Sequence, residues 1–443
     1  MSDQASPPPI SRNLVLCFDG TSSEYSGENT NVVKFFSLLK KGNIDEQLCY
    51  YQAGIGTYFA PGVVSPLLGW CAKILDEAFA WYLSAHVMEG YKFIMQNYRP
   101  GDKICVFGFS RGAYTARALA GMLFKVGLLP RDNDEQIPFA YKLYSRTDEE
   151  GIELAAGFKE TYCSTVKIEF MGVWETVSSV GVIMTKTLPF TNSNTSILTF
   201  RHAVALDERR AKFKANLFHR PTMDSVEIGS APNGKRRKRR LPFLGRRRNF
   251  PFIREVPEDS EDDGPTTDVL EVWFTGCHSD VGGGAVPNDT PQSLSNITLR
   301  WMVRQVIESQ CGILFKDDGL AKLSIPLVEV PTTPPANNKK GLVLLDNDDQ
   351  LDRQDATMPV HDQLKLKGGN VLWWILEVIP FHYSWQDMKG VWHTTWEANL
   401  GRGRKIEDEH PKFHVTVRER MEDQDLKYKP NAVWKQGTEV YVE

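Results

Sequence analysis

The sequence predicts an α/β fold, a mainly parallel central sheet with helices on both faces, and three observations carry that prediction. Apolar runs of strand length recur at Asn13 to Phe18, Lys103 to Phe109, Lys167 to Trp174 and Val269 to Gly276, as strands buried on both faces require. Stretches with apolar residues at three and four spacing lie between them, the longest from Leu75 to Tyr98, and these read as the crossover helices. Each strand-like run then ends in a turn of polar or glycine-rich residues: Asp19-Gly20-Thr21, Ser110, Glu175-Thr176 and Cys277-His278-Ser279-Asp280. Loops at the C-terminal ends of parallel strands are where such sheets gather their functional groups.

With 443 residues the chain is long enough for one α/β domain carrying insertions, or that domain with a smaller companion. A formal net charge of −4 argues against a surface that wraps nucleic acid, and no specific nucleic-acid binding is expected. Seven cysteines form no C-x-x-C pair, and several sit in strand-like apolar runs, so a reducing, cytoplasmic setting is expected. The opening M-S-D-Q-A-S-P-P-P-I has neither a basic region nor an apolar core, so no secretory signal is expected. The apolar runs at Val63 to Ile74 and Val371 to Phe381 fall short of the ~20 residues that a membrane-spanning helix needs.

In chain order, a Pro-rich start at 1–11 leads into the strand at Asn13 to Phe18. Asn29-Thr30-Asn31 opens an amphipathic helix that runs through Lys41, and Gln47 to Ala53 reads as a short strand. His86, inside the long helix, reads as a core or boundary residue. Residues 224–265 differ from everything around them, because K-R-R-K-R-R-L-P-F-L-G-R-R-R (Lys235 to Arg248) is followed by six acids between Glu255 and Asp263. Blocks of like charge cannot pack together, so a disordered insertion is expected there. Its basic half is a candidate for peripheral contact with anionic membrane or for nuclear import, and a solvated tether explains it equally. Ser295 to Ile307 reads as a helix, and the region 316–443 as an accessory or lid region against a domain at 12–315. Trp373, Trp374, Trp385, Trp392 and Trp396 suit a small core, with a lid or acyl pocket as the other reading.

The chemistry centres on V-F-G-F-S-R-G-A-Y-T, Val106 to Thr115. A serine squeezed into a strand-to-helix turn adopts a strained backbone, and side chains two residues to either side would collide with neighbouring strands; Gly108 and Gly112 remove that collision. Such a nucleophile elbow lifts the Ser110 hydroxyl above the sheet, and the N–H of Arg111 at the helix start becomes one oxyanion donor. The other is expected from Gly20 or Thr21. Phosphatases that use D-x-D-G-T offer a rival reading of F-D-G-T, but position 17 carries Cys17 where their nucleophilic aspartate would stand. The base in the order serine, acid, histidine is His278, in a glycine-rich loop after the last strand. On position alone Glu175 fits either the triad acid or a surface acid capping the next segment. Asp280 is the reserve acid or a loop brace, and Asp19 a loop support. This chemistry needs no cofactor and no metal.

At these residues the chain resembles an uncharacterised α/β-hydrolase domain family related to bacterial type VI secretion phospholipase effectors. The resemblance lies in L-C-F-D-G-T, Y-Q-A-G-I-G-T, V-F-G-F-S-R-G-A-Y-T-A-R, F-M-G-V-W-E-T-V-S-S-V-G, R-H-A-V-A-L-D-E-R-R and W-F-T-G-C-H-S-D-V-G-G-G, with a weaker echo in N-L-G-R-G-R-K-I and H-P-K-F-H-V-T-V-R. It implies an α/β-hydrolase-like fold, Ser110 as nucleophile, His278 as base, Glu175 as acid, and a lipid or phospholipid-type ester as the small-molecule substrate. One departure stands out, since the family usually carries aspartate where this chain has Glu175. The extra methylene requires the imidazole to sit slightly farther away or the loop to shift. A catalytically silent scaffold serving as a binding or regulatory module is the alternative from a different class.

Overall fold

The computed structural model describes residues 11–20, 25–54, 68–177, 188–191, 194–218, 267–323, 325, 327–331, 340–344, 350–365, 371–386 and 392–443. Thr21 and the charged insertion at 224–265, with its basic run Lys235 to Arg248, lie outside them. Among the described residues one sheet contains β1 (Asn13–Phe18), β2 (Gln47–Gln52), β3 (Lys103–Phe109), β4 (Ile168–Trp174), β5 (Ile197–Ala205) and β6 (Asp268–Phe274). Two hairpins stand apart, β7 (Leu327–Pro331) with β8 (Lys340–Leu344) and β9 (Phe381–Gln386) with β10 (Trp392–Glu397). The short strands β11 (Lys412–His414) and β12 (Val440–Val442) complete the main sheet in the order β12-β11-β6-β5-β4-β3-β1-β2. Every neighbouring pair in it is parallel.

That order fixes where a site can form. The chain runs from β1 out to β2 and returns on the other side of β1 as β3, so the strand order reverses between β1 and β3. A crevice opens at such a switch point, beyond the C-terminal ends of the strands. The turn after β1 carries Asp19 and Gly20, and the turn after β3 carries Ser110. Registers bring the neighbouring strand ends level: Phe18 lies opposite Gly108, Phe109 opposite Trp174, Trp174 opposite Ala203, and Ala205 opposite Phe274.

Alternation along the strands separates two cores. Leu14, Leu16, Phe18, Ile104 and Val106 face α2 (Leu68–Asn97), α3 (Arg111–Val126), α4 (Ile137–Ser145) and α5 (Glu149–Tyr162). Val15, Cys17, Cys105, Phe107 and Trp174 face α1 (Asn31–Leu38) and the helix Leu294–Glu308. Each large side chain so buried contributes about 1.5–3 kcal/mol. Thr30 caps α1, its hydroxyl accepting from the Val33 N–H. Cys17, Cys49, Cys105, Cys163, Cys277 and Cys311 are free thiols. No helix among the described residues is long and apolar enough to cross a membrane.

The region after 315 contributes to the sheet itself. Phe413 on β11 pairs with Trp273 on β6, is fully buried, and packs on Trp434 with ring centroids 5.0 Å apart. The helix Gln350–Ala356 is tied on by a buried ion pair, Arg300 Nε donating to Asp352 Oδ1 at 2.6 Å and Arg304 Nη1 to Asp352 Oδ2 at 2.9 Å. Within the tryptophan-rich stretch, Trp373 and Trp374 are half-buried on the helix Val371–Val378, while Trp396 is 68% exposed and belongs to no core. Replacing Phe413 by Ala should therefore cost about 3–5 kcal/mol of stability. Urea denaturation of the full chain measures this, and a loss below 1 kcal/mol would mean that the C-terminal strands are peripheral.

Candidate active site

Ser110 sits between β3 and α3 with φ 57° and ψ −121°, a left-handed conformation that non-glycine residues adopt only when the surroundings force it. Its N–H donates to Trp174 O at 3.0 Å, which extends the β3–β4 ladder by one residue and holds the turn in place. The elbow glycines answer to close contact: a Cβ on Gly112 would lie 2.3 Å from Phe18 O, and one on Gly108 would lie 2.7 Å from Ala113 N. Gly20 also borders the serine, since a Cβ there would lie 3.4 Å from Ser110 Cβ. A side chain at Gly108 or Gly112 would push the serine turn off the sheet, and one at Gly20 would press on the Phe109 ring.

Glu175 and His278 are the next two groups along the strand ends. Glu175 follows β4 with φ 46° and is completely buried. His278 begins the short helix His278–Gly282 after β6, and its Nδ1 lies 3.1 Å from Glu175 Oε2. With Glu175 ionised, Nδ1–H is the donor and Nε2 is left with its lone pair. Burial holds the imidazole below its ordinary pKa, against the opposing pull of Glu175. It is therefore neutral at neutral pH, as a base must be. The ring lies between Phe109, 4.7 Å between centroids, and Phe213, 4.8 Å and edge-on. Ser110 Oγ makes no hydrogen bond among the described residues, His278 included.

Two groups that the local sequence pattern does not single out hold this pair. Arg404 grips both oxygens of Glu175, Nη1 to Oε1 at 2.7 Å and Nη2 to Oε2 at 2.8 Å, and also donates to Ala205 O and Phe213 O. Burial by itself would raise the pKa of Glu175, but Arg404 and then His278 outweigh it and hold the carboxyl at about 2. The Ala205 N–H donates to Glu175 Oε1 at 2.6 Å. The second group is the segment from His202 to Arg210, within R-H-A-V-A-L-D-E-R-R. His202 Nε2 accepts from Thr176 N–H at 3.1 Å, just after the acid. Asp207 accepts from Gly276 N–H at 2.7 Å, and Glu208 from the His278 N–H at 3.2 Å. Arg210 pairs with Glu208 at 2.7 Å and stacks over Phe213 at 3.6 Å and Trp373 at 4.8 Å. The only forward sign of either group lay in the motifs quoted for the family resemblance.

The remaining expected residues are placed as follows. Asp280 makes its hydrogen bonds away from the His278 ring: its Oδ2 accepts from the N–H groups of Cys277 and His361, each at 2.9 Å, and its Oδ1 lies 2.6 Å from His361 Nδ1. It closes a capping box on the helix that starts at His278, and so it braces the loop. Asp19 accepts from Tyr51 OH and Thr30 Oγ1, each at 2.8 Å, and burial raises its pKa to about 6. Its Oδ1 also takes the Gly20 N–H at 2.7 Å. Arg111 is the first residue of α3, where N–H groups point out along the helix axis. Cys17 is buried within β1, and burial pushes its thiol well above the ordinary range, so the D-x-D-G-T reading has no nucleophile at that position. No group of three or more His, Cys, Asp or Glu among the described residues could hold a metal ion.

Comparison with known proteins follows this geometry. An uncharacterised protein of Saccharomyces cerevisiae, YEL023C, is 29% identical over 95% of this chain and 80% of its own length. A crystal structure of an uncharacterised protein from Pseudomonas aeruginosa is similar at 18% identity and a TM-score of 0.37, over 71% of this chain and 48% of that one. A structure of the Tle1 effector bound to the VgrG spike from the type 6 secretion system is similar at 16% identity and a TM-score of 0.32, over 64% and 52%. The chain thus spans about half the length of the solved proteins it matches. Residues 12–305 match the family described as the T6SS phospholipase effector Tle1-like catalytic domain, and the chain belongs to that family.

Proposed function

We propose that the protein is a serine ester hydrolase acting on lipid or phospholipid-type carboxylic esters through an acyl-enzyme. The observation that carries this reading is a buried His278–Glu175 pair at 3.1 Å after β6 and β4, on the same sheet edge as a serine held at φ 57° after β3. His278 Nε2 takes the proton of Ser110 Oγ as the oxygen attacks the ester carbonyl. Glu175 fixes the tautomer and stabilises the imidazolium. The Arg111 N–H is one donor to the tetrahedral oxyanion. The second donor comes from the turn at Gly20 or Thr21, where the Gly20 N–H also meets Asp19 Oδ1. The imidazolium then protonates the departing alcohol, and water cleaves the acyl-enzyme by the same route. Phe109 and Phe213, which pack on the imidazole, and Trp373, which packs on Phe213, give the acyl chain apolar neighbours, and membership of a phospholipase effector family points to the same substrate class.

Fluorophosphonate labelling, paired with turnover of short and long p-nitrophenyl esters, tests this reading. Ser110→Ala should abolish labelling and reduce turnover by on the order of 10⁴-fold or more, and Glu175→Gln by about 10²–10⁴-fold. Asp280→Asn should stay within about 10-fold of the wild type if Glu175 is the acid, because Asp280 acts through the loop alone. Wild-type protein that folds but takes no label would instead identify a catalytically silent scaffold.

The acid limb of activity reports the base. His278 is neutral above its depressed pKa, so kcat/KM should hold at neutral pH and fall only as pH drops below about 6.5. A limb centred above pH 7 would mean that another group is titrating. The same reading gives the basic run Lys235 to Arg248 a role in peripheral contact with anionic membrane. Deleting the run should weaken sedimentation with anionic liposomes, and unchanged sedimentation would remove that role.

A further inference from the structure

We infer that Arg404 is a positioning residue for the reaction, acting through Glu175, so that the site is completed by a side chain from outside the matched catalytic domain. This rests on the Ser110-His278-Glu175 reading above. The family match ends at residue 305, whereas the guanidinium that engages the acid comes from residue 404, 229 positions beyond Glu175.

The geometry is that of a fork on a carboxylate, with two parallel N–H···O bonds at 2.7 and 2.8 Å, the arrangement that gives direction as well as charge. The same guanidinium donates to Ala205 O at the end of β5 and to Phe213 O. It therefore joins the acid, the strand beside it and the aromatic residue that lies edge-on to the base. Arg404 is itself fixed at the backbone: its carbonyl accepts from Val433 N–H at 2.8 Å, and Ile406 N–H donates to Val433 O at 2.9 Å. Its neighbour Gly403 passes so close to the 431 backbone that a Cβ would lie 1.7 Å from Asn431 O. The turn before it is pinned by Glu377, whose Oε2 accepts from Asn399 Nδ2 at 2.6 Å and Gly401 N–H at 3.0 Å.

Two consequences separate positioning from simple stabilisation. A Glu175 side chain with both oxygens held presents Oε2 to His278 Nδ1 in one orientation, and losing that orientation lowers kcat while leaving KM nearly unchanged. Arg404 is also the cation that keeps the buried acid ionised. Glu175 is faced by Arg404 and His278, and His278 by Glu175, Arg210 and Glu208. Without Arg404 the burial of Glu175 is no longer outweighed, its pKa rises, and the protonated acid cannot support the imidazolium. The acid limb of activity then moves to higher pH.

The experiment compares full-length wild type, Arg404→Lys, Arg404→Gln and Arg404→Ala in kcat, KM and the pH profile of ester turnover, with thermal melts to confirm folding. Arg404→Gln and Arg404→Ala should lose on the order of 10²-fold in kcat with little change in KM. Their acid limb should shift upward, and added guanidinium should restore part of the Arg404→Ala loss. Arg404→Lys keeps the charge without the fork, so it should hold the wild-type acid limb while losing kcat. If Arg404→Ala fails to fold, Arg404→Gln and Arg404→Lys decide the matter. Folded variants with wild-type kcat and pH profile would overturn the assignment while leaving the triad intact, whereas wild type without Ser110-dependent turnover would remove the triad reading itself.

Discussion

A carboxylate shut away from water stays ionised only if cations and hydrogen bonds replace its hydration, and Glu175 imposes that demand on everything around it. Three donors from three parts of the chain meet it: Arg404 with its fork, the Ala205 N–H at the end of β5, and His278 Nδ1 after β6. None is adjacent to Glu175 in sequence. The parallel sheet is the device that makes their meeting possible, because adjacent strands all end on the same edge and their following residues face one crevice. Removing one partner of such a group costs far more than the pair contributes in net stability, since the charge left behind is still buried.

The same edge also stores backbone strain. Ser110 at φ 57° and Glu175 at φ 46° occupy corresponding places, each the first residue after its strand. Such conformations cost of order 1–3 kcal/mol each and persist only where the surroundings over-determine them. Here the hydrogen bonds run from one strained residue to the next strand: Ser110 N–H to Trp174 O, and Glu175 N–H to Ala203 O at 2.8 Å. Helix α3 presses its first turn against Phe18 O through Gly112, and Gly20 lies against the Phe109 ring from the other side. The strain is thus distributed over four strands that cannot relax independently.

How much of this could be read from the chain depended on whether the cause was local. β1, β3, β4 and β6 appeared as apolar runs ending in turn residues, because a strand buried on both faces must be apolar throughout, and their observed bounds differ from the expected ones by no more than two residues. The serine turn was equally legible, since its glycines answer to contacts within a few residues or with the next strand. β5 has no apolar run to mark it: T-F-R-H places Arg201 and His202 in its middle, and both depend on tertiary partners, Asp268 and Gln305 for one, Glu271 and the Thr176 N–H for the other. β11 and β12, at three residues each, are too short to leave a period. Arg404 and Glu208 leave no periodicity, because contacts across tens to hundreds of residues have no spacing, and they showed only inside the motifs of the family resemblance.

The choice of glutamate at 175 follows from this arrangement. Glutamate is one methylene longer than aspartate, and that length sets where its carboxyl can reach. At 3.1 Å the bond to His278 is of ordinary length, and the backbone of Glu175 itself is left-handed. The additional methylene carries the carboxyl to where Oε1 meets both Ala205 N–H and Arg404 while Oε2 meets Arg404 and His278. An aspartate on the same backbone would end one bond short and could not keep all four contacts. Shortening the residue to aspartate would therefore disturb the Arg404 fork together with the bond to His278, because one methylene sets the reach of both carboxylate oxygens.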